Sequence, residues 1–237
     1  MGMKAPLSTS RSQHGFKSNH STVSAVLPLT TNIAIGFNAP KPALRTGLLC
    51  VNLSKAFDIV DIHKLLKKVD ATNLHPNLKC WLLAYLRDRK IRVLYQGKSS
   101  KWRKVKMGVP QGSVLSPLLL NFLVNNIASS APVDNSFADD FHGAVSHVSP
   151  PAIATDLEVA AKELSDQALD HGLSLLVPKS TVTLFTSWTK EFSRLPPVSL
   201  EGVVIPQDNN PKLLGITLDL TFTFSAHAIA AVRKACP

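Results

Sequence analysis

Apolar positions along the chain change period repeatedly, and each change predicts an element. Residues 21–37 mix apolar and small residues in a loose helical pattern, and the Pro-rich connector NAPKPALRTG follows. Leu48, Leu49, Cys50 and Val51 form a short apolar run that predicts a buried strand ending at Asn52. Ile62, Leu65, Leu66 and Val69 then recur at helical spacing. Pro76 fits the first turn of a further helix, where its missing N–H costs little. That helix should bury Leu78, Trp81, Leu82 and Tyr85 or Leu86. Residues 91–106 read as a hairpin turning near Gly97. GVPQGSVLSP is a loop of demanding geometry, with Ser116 placed to cap a helix and Pro117 to begin it. The LLLNFLVNNIA that follows is apolar all round, which puts that helix in the core.

Residues 137–147 predict a strand, a tight Asp-Asp turn and a second strand. Thr155 and Glu158 have capping-box spacing. Leu157, Ala160, Ala161, Leu164, Ala168 and Leu169 make a helical stripe that Gly172 can end. LSLLV, TVTLF, GVVI and KLLGITLDL read as strands, with PQDNNP as a turn among them. Strands and helices do not alternate regularly. The pattern favours an α+β fold with helices on one face of a mostly antiparallel sheet.

The 237 residues suffice for one large domain or two small ones. Twenty-six Lys and Arg against 16 Asp and Glu give a net charge of +10. Such a balance favours a polyanionic partner, nucleic acid before an anionic membrane, although charge alone leaves a solvated basic surface open. Cys50, Cys80 and Cys236 lie far apart, with neither a disulfide framework nor zinc spacing, which fits an intracellular, reducing location. No run approaches the roughly 20 apolar residues of a membrane span. The first 20 residues lack the apolar core of a signal peptide.

The excess charge is concentrated. Arg87, Arg89, Lys90, Arg92, Lys98, Lys101, Arg103, Lys104 and Lys106 face only Asp88, with Tyr95 and Trp102 interleaved. Cations neutralise phosphates and aromatic rings stack on bases, so nucleic acid suits this ribbon. A solubilising edge hairpin is the alternative.

Four segments stand in order: VNLSKAFD, GVPQGSVLSP, FADD and PKLLGITLD. Together they resemble the reverse transcriptase domain of non-LTR (LINE-type, jockey-like) retrotransposons, and QHGFKSNHST extends the match toward the start. The resemblance covers roughly residues 11–234. It implies an α+β right-hand polymerase fold, with an antiparallel palm sheet backed by helices. On this reading residues 1–45 are partial fingers and 46–86 palm with the first catalytic motif. Residues 87–107 are a basic fingers-like hairpin, 108–211 palm, and 212–237 a primer-grip hairpin and the start of a thumb that is mostly missing. The implied activity is RNA-directed DNA polymerisation on an RNA template with a DNA primer and deoxynucleoside triphosphates, in nucleus or cytoplasm. The implied cofactor is a pair of magnesium ions, with manganese as a substitute.

Nucleotide addition joins a primer hydroxyl to an α-phosphate between two ions about 3.5–4 Å apart, so hard oxygen ligands must converge from different strands. The resemblance gives that role to Asp139, Asp140 and position 52. It assigns Phe57 to crowding a ribose 2′-hydroxyl, Gln111 and Gly112 to the nucleotide and template, and Lys179 to the leaving pyrophosphate. Lys17 stands where the family often has Arg, and Leu214 and Gly215 fall in the primer grip. The sequence departs from the pattern at Asn52, where Asp is expected. Asn offers one neutral carbonyl oxygen in place of two anionic ones and cannot offset two dications beside a triphosphate. Asp58 does not substitute, because its own place in the pattern is usually occupied. PVDNS before the acidic turn is more polar than expected, and Asn126 stands where an acid is common. The expectation is a catalytically impaired copy, with a non-catalytic nucleic-acid-binding remnant as the alternative.

Overall fold

The computed structural model describes residues 12–125, 127 and 135–235. Asn126, Cys236 and the first part of PVDNS lie outside the described residues. The helices are α1 (Thr22–Phe37), α2 (Ile62–Asp70), α3 (Pro76–Leu86), α4 (Leu115–Val124), α5 (Pro150–Asp170) and α6 (Ser225–Ala235). The strands are β1 (Arg45–Asn52), β2 (Lys90–Ile91), β3 (Leu94–Tyr95), β4 (Lys98–Ser99), β5 (Arg103–Lys104) and β6 (Asn135–Phe137). They continue with β7 (Asp140–His147), β8 (Thr181–Phe185), β9 (Val198–Leu200), β10 (Val203–Ile205), β11 (Lys212–Leu213) and β12 (Ile216–Thr217).

Four strands form the central sheet in the order β6-β7-β1-β8, every neighbouring pair antiparallel. β1 is one of its two inner strands and is covered on both faces. Leu49 and Val51 enter one core with α2, α4 and α5, while Leu48 and Cys50 enter a second core with α1 and the β11–β12 hairpin. A strand buried on both sides reads as a continuous apolar run, which is why Leu48–Val51 carries no alternation. The second core is a departure from the expected one-sided helical backing. α1 presents Val26, Leu29 and Ile33 at helical spacing, and that stripe packs on the sheet face carrying Leu48, Ala144 and Phe185.

Local departures have local causes. On α3, Leu82 and Leu86 are buried, but Leu78 and Trp81 are 42% and 50% exposed. Trp81 instead stacks on Tyr85 with ring centroids 5.6 Å apart. α4 starts at Leu115, so Ser116 and Pro117 lie inside it. Ser116 Oγ donates to Pro110 O (2.6 Å), the N-cap residue is Val114, and Ser113 Oγ, one residue earlier, accepts from Leu115 N (3.2 Å). α5 begins at Pro150, whose fixed φ suits a first turn, so Thr155 is interior and donates to Pro151 O (3.2 Å). Leu169 is exposed rather than part of the buried stripe. LSLLV forms no strand: Leu175 makes one bridge to Leu53, and Pro178, with no N–H to give a ladder, sits in a 3-10 turn. The 90–104 segment is a hairpin as expected, with ladders β2–β5 and β3–β4 and Gly97 at φ +75° in its turn.

Candidate active site

The register of the sheet builds the site. In the β1–β7 ladder Asn52 is directly opposite Asp140, and the β6–β7 turn brings Asp139 alongside. Leu53 N donates to Asp139 O (3.0 Å), tying the turn to the chain just past β1. Asn52, Asp139 and Asp140 are all half-buried. Asn52 Nδ2 donates to Asp140 Oδ1. Only the NH2 end of an amide can face a carboxylate, so Asn52 turns a donor toward the acid instead of adding a third carboxylate. Burial, and next the charge of Asp139, push Asp140 up to about 6, opposed by the bond from Asn52.

The donor set does not fit a pair of divalent cations. Two carboxylates converge, position 52 presents an amide donor, and among the described residues no group of three or more His, Cys, Asp or Glu comes together. Lys179 is exposed at the end of the 3-10 turn Val177–Lys179, and that segment is joined to the site by Leu176 N donating to Asn52 O (2.7 Å).

Beside the acids, residues 108–116 are strapped to residues 57–60. Gly108 N donates to Val60 O and Val109 N to Phe57 O, both at 2.8 Å. Gly108 has φ +80°, and a Cβ there would lie 2.5 Å from Asp58 O, so no side chain fits. Asp58 Oδ1 accepts from Gln111 Nε2 (2.6 Å), and Tyr85 Oη donates to Ser113 Oγ (2.5 Å). Phe57, Gln111 and Gly112 thus come together, lining a cavity of about 310 Å³ with Ser113 and Pro117. Gly112, at φ +85°, has open space where a Cβ would stand. Lys17 is half-buried in the turn that follows Gly15 and lines neither that cavity nor the next. A neighbouring cavity of about 630 Å³ shares Gln111 and is walled by Arg89 and Lys90 at the base of the basic hairpin. Asp58 and Tyr85 gave no sequence signal as loop anchors, because their partners lie 53 and 28 residues on.

On the hairpin Lys90, Arg92, Lys101, Arg103, Lys104 and Lys106 are exposed, and Arg92 stacks over Trp102 at 4.8 Å. Arg87, also exposed, caps the end of α3. Arg89 differs from these: Nε donates to Leu86 O (3.1 Å) and an amino group donates to Gly108 O, so its charge braces the loop. Leu214 (φ +48°) and Gly215 (φ +93°) form the β11–β12 turn.

Two pairs behind Asp140, His142 lies opposite Cys50 and Asn135. It is buried, and neither ring nitrogen has a hydrogen-bond partner. Burial lowers its pKa from 6.5 to about 4. The unfolded chain then binds this proton more readily, so the stability contributed by His142 is lost as pH falls from 6.5 toward 4. Asp140 has the opposite sign, because the folded state holds its proton more tightly from pH 6 downward. Its partial exposure weakens that contribution. Asp140→Asn should therefore steepen the fall in melting temperature between pH 6.5 and 4 relative to wild type. Identical profiles would contradict the assignment.

An antiparallel sheet carrying an acidic turn beside the end of the inner strand β1, with α2, α4 and α5 stacked on one face, is the arrangement expected of a right-hand polymerase palm. The family described as reverse transcriptase (RNA-dependent DNA polymerase) matches residues 4–218. The chain is 30% identical over 245 residues to the probable RNA-directed DNA polymerase from transposon BS of Drosophila melanogaster, covering 94% of this chain and 25% of that protein. It is 28% identical over 224 residues to the RNA-directed DNA polymerase from mobile element jockey of the same organism, covering 91% and 24%. The chain thus spans about a quarter of the length of the curated relatives it matches. Among solved structures, apo telomerase from Candida tropicalis, truncated from its C-terminal domain, superposes with TM-score 0.60 at 14% identity, covering 90% of this chain and 40% of that one. Telomerase from the same organism in complex with a fragment of telomeric RNA gives TM-score 0.57 at 13% identity, covering 91% and 33%. The chain belongs to the reverse transcriptase family, as a domain of the non-LTR retrotransposon type.

Proposed function

We propose that this domain binds an RNA template and a DNA primer through palm and fingers elements of an intracellular retrotransposon polymerase, and that its nucleotidyl transfer is impaired at Asn52. The observation that carries the reading is the Asn52 amide donating to Asp140 from the position opposite it in the ladder. The family pattern would hold two magnesium or manganese ions on Asp139, Asp140 and position 52, where they would assist nucleotidyl transfer. In this chain position 52 is not a carboxylate, so among the described residues the two acids lack the third ligand that such a pair needs. Phe57, Gln111 and Gly112 would seat the deoxynucleotide, Phe57 against the sugar. Lys179 would approach the pyrophosphate, and Lys17 would add charge without the bidentate fork of an arginine. Residues 46–86 and 108–211 would be palm, and Leu214 and Gly215 would contact the primer.

The hairpin is the backbone-binding part of this proposal. Each phosphate contact removed lowers the slope of log affinity against log salt by about 0.7–0.9. Replacing Lys101, Arg103, Lys104 and Lys106 by Ala should reduce the slope for a primer–template duplex by about 3. All four side chains are exposed, so the melting temperature should hold. Fluorescence anisotropy over a salt series, with extension measured on the same material, tests this reading. An unchanged slope would remove the hairpin from the interface, and full extension by the wild-type chain would remove the impairment.

A further inference from the structure

We propose that Gln13 is a positioning residue for the acidic turn, its buried carboxamide gripping the Ala138 peptide so that Asp139 and Asp140 stay opposite position 52. The inference rests on the proposed role of those two acids.

Gln13 is 1% exposed. Its Oε1 accepts from Ala138 N (2.9 Å) and Gly15 N (2.8 Å), and its Nε2 donates to Ala138 O (3.3 Å). One side chain thereby satisfies both backbone groups of the residue immediately before Asp139. The flanking chain is laid against β6 by a parallel bridge between Gln13 and Ser136. There His14 N donates to Ser136 O and Ser136 N to Ser12 O, both at 2.8 Å.

Two features show that the turn needs holding. Ala138 has φ +59°, a left-handed conformation that is strained for a non-glycine residue and persists where the surroundings over-determine it. Asp139 and Asp140 are adjacent like charges at the same turn, and the charge of Asp139 disfavours the charged form of Asp140. The grip is also tightly fitted. A Cβ on Gly15 would lie 2.5 Å from Ala138 N, and Asn121 Nδ2 of α4 donates to Gly15 O (2.6 Å). The strap thus joins the acidic turn to the core helix α4, while Leu53 holds its other side.

The test replaces Gln13 by Met, which keeps bulk and removes both hydrogen-bonding groups, and by Glu, which keeps the acceptor for Ala138 N. In the full wild-type chain, Gln13→Met should speed amide exchange at Ala138 by about 10-fold or more, with protection along the β1–β7 ladder unchanged. In chains carrying Asn52→Asp, it should weaken Mn2+ binding by about 10-fold and lower the extension rate roughly 100-fold at unchanged KM, the expected effect of misplacing a catalytic group by about 1 Å. Gln13→Glu should recover part of each. Unchanged exchange at Ala138 overturns the grip. Faster exchange with Mn2+ affinity within twofold of the parent overturns the positioning role. If the Asn52→Asp parent does not extend primers, the catalytic reading of the acids fails, and exchange and Mn2+ affinity still decide Gln13. If Gln13→Met does not fold, the same two readouts on Gln13→Glu decide it.

Discussion

Asn52→Asp is expected to raise the rate of primer extension on an RNA template by at least about 100-fold, because losing one preorganised group that stabilises developing charge typically costs 10²–10³. In phosphoryl transfer, positioning and charge neutralisation carry nearly all the catalysis, so a missing ligand is felt in full. The ladder register delivers the new carboxylate to the point now held by the Asn52 amide, beside Asp140. The same change should lower the melting temperature without divalent cations, since like charges directly opposite in a ladder destabilise it. Added Mn2+ should restore it. Asp139→Asn in the Asn52→Asp chain should return extension to the wild-type level. Wild-type and Asn52→Asp chains extending at equal rates would contradict the reading of position 52.

The second large effect concerns the far end of β1. Arg45 Nε donates to Glu191 Oε2 (2.8 Å) and an amino group donates to Oε1 (2.9 Å), a bidentate pair with both side chains more than nine-tenths buried. The guanidinium also reaches Val148 O (2.7 Å) and lies 4.3 Å from the centre of the Trp188 ring. The bond from Arg45 is the main reason Glu191 is held below the usual carboxylate range. Removing one partner strands the other charge in the interior, so Glu191→Ala should destabilise the fold by about 3–5 kcal/mol in chemical denaturation. Substituting both residues with apolar ones should cost much less. A Glu191→Ala loss below about 1 kcal/mol, the value of an exposed pair, would contradict this account.

What was legible in the sequence follows from the range of the forces involved. The palm strand could be read because burial on both faces left Leu48–Val51 uniformly apolar. The acidic turn, the basic hairpin and α5 could be read because turn residues, charge and helical periodicity are local signals. α3 was half legible: spacing marked a stripe, but two neighbouring stripes were apolar and only tertiary packing chose Leu82 and Leu86 over Leu78 and Trp81. The caps of α4 and α5 were misplaced because Ser116 and Thr155 bond backward within the chain as readily as they cap. The braces around the site were not legible. Gln13 and Ala138 are 125 residues apart, Arg45 and Glu191 146 apart, and no local pattern links them. At Asn52 the sequence showed a missing carboxylate, and the structure adds that the amide points its donor at Asp140.

Metal affinity tests the central claim most directly, because it requires neither primer nor nucleotide to bind. Mn2+ titrated into the wild-type and Asn52→Asp chains at pH 7.5, about 1.5 units above the Asp140 pKa of about 6, would be followed by electron paramagnetic resonance of the free ion. Asn52→Asp should bind at least about 10-fold more tightly, and Asp139→Asn should abolish that gain, because hard cations depend on the count of anionic oxygens. Equal affinities for the two chains would contradict it.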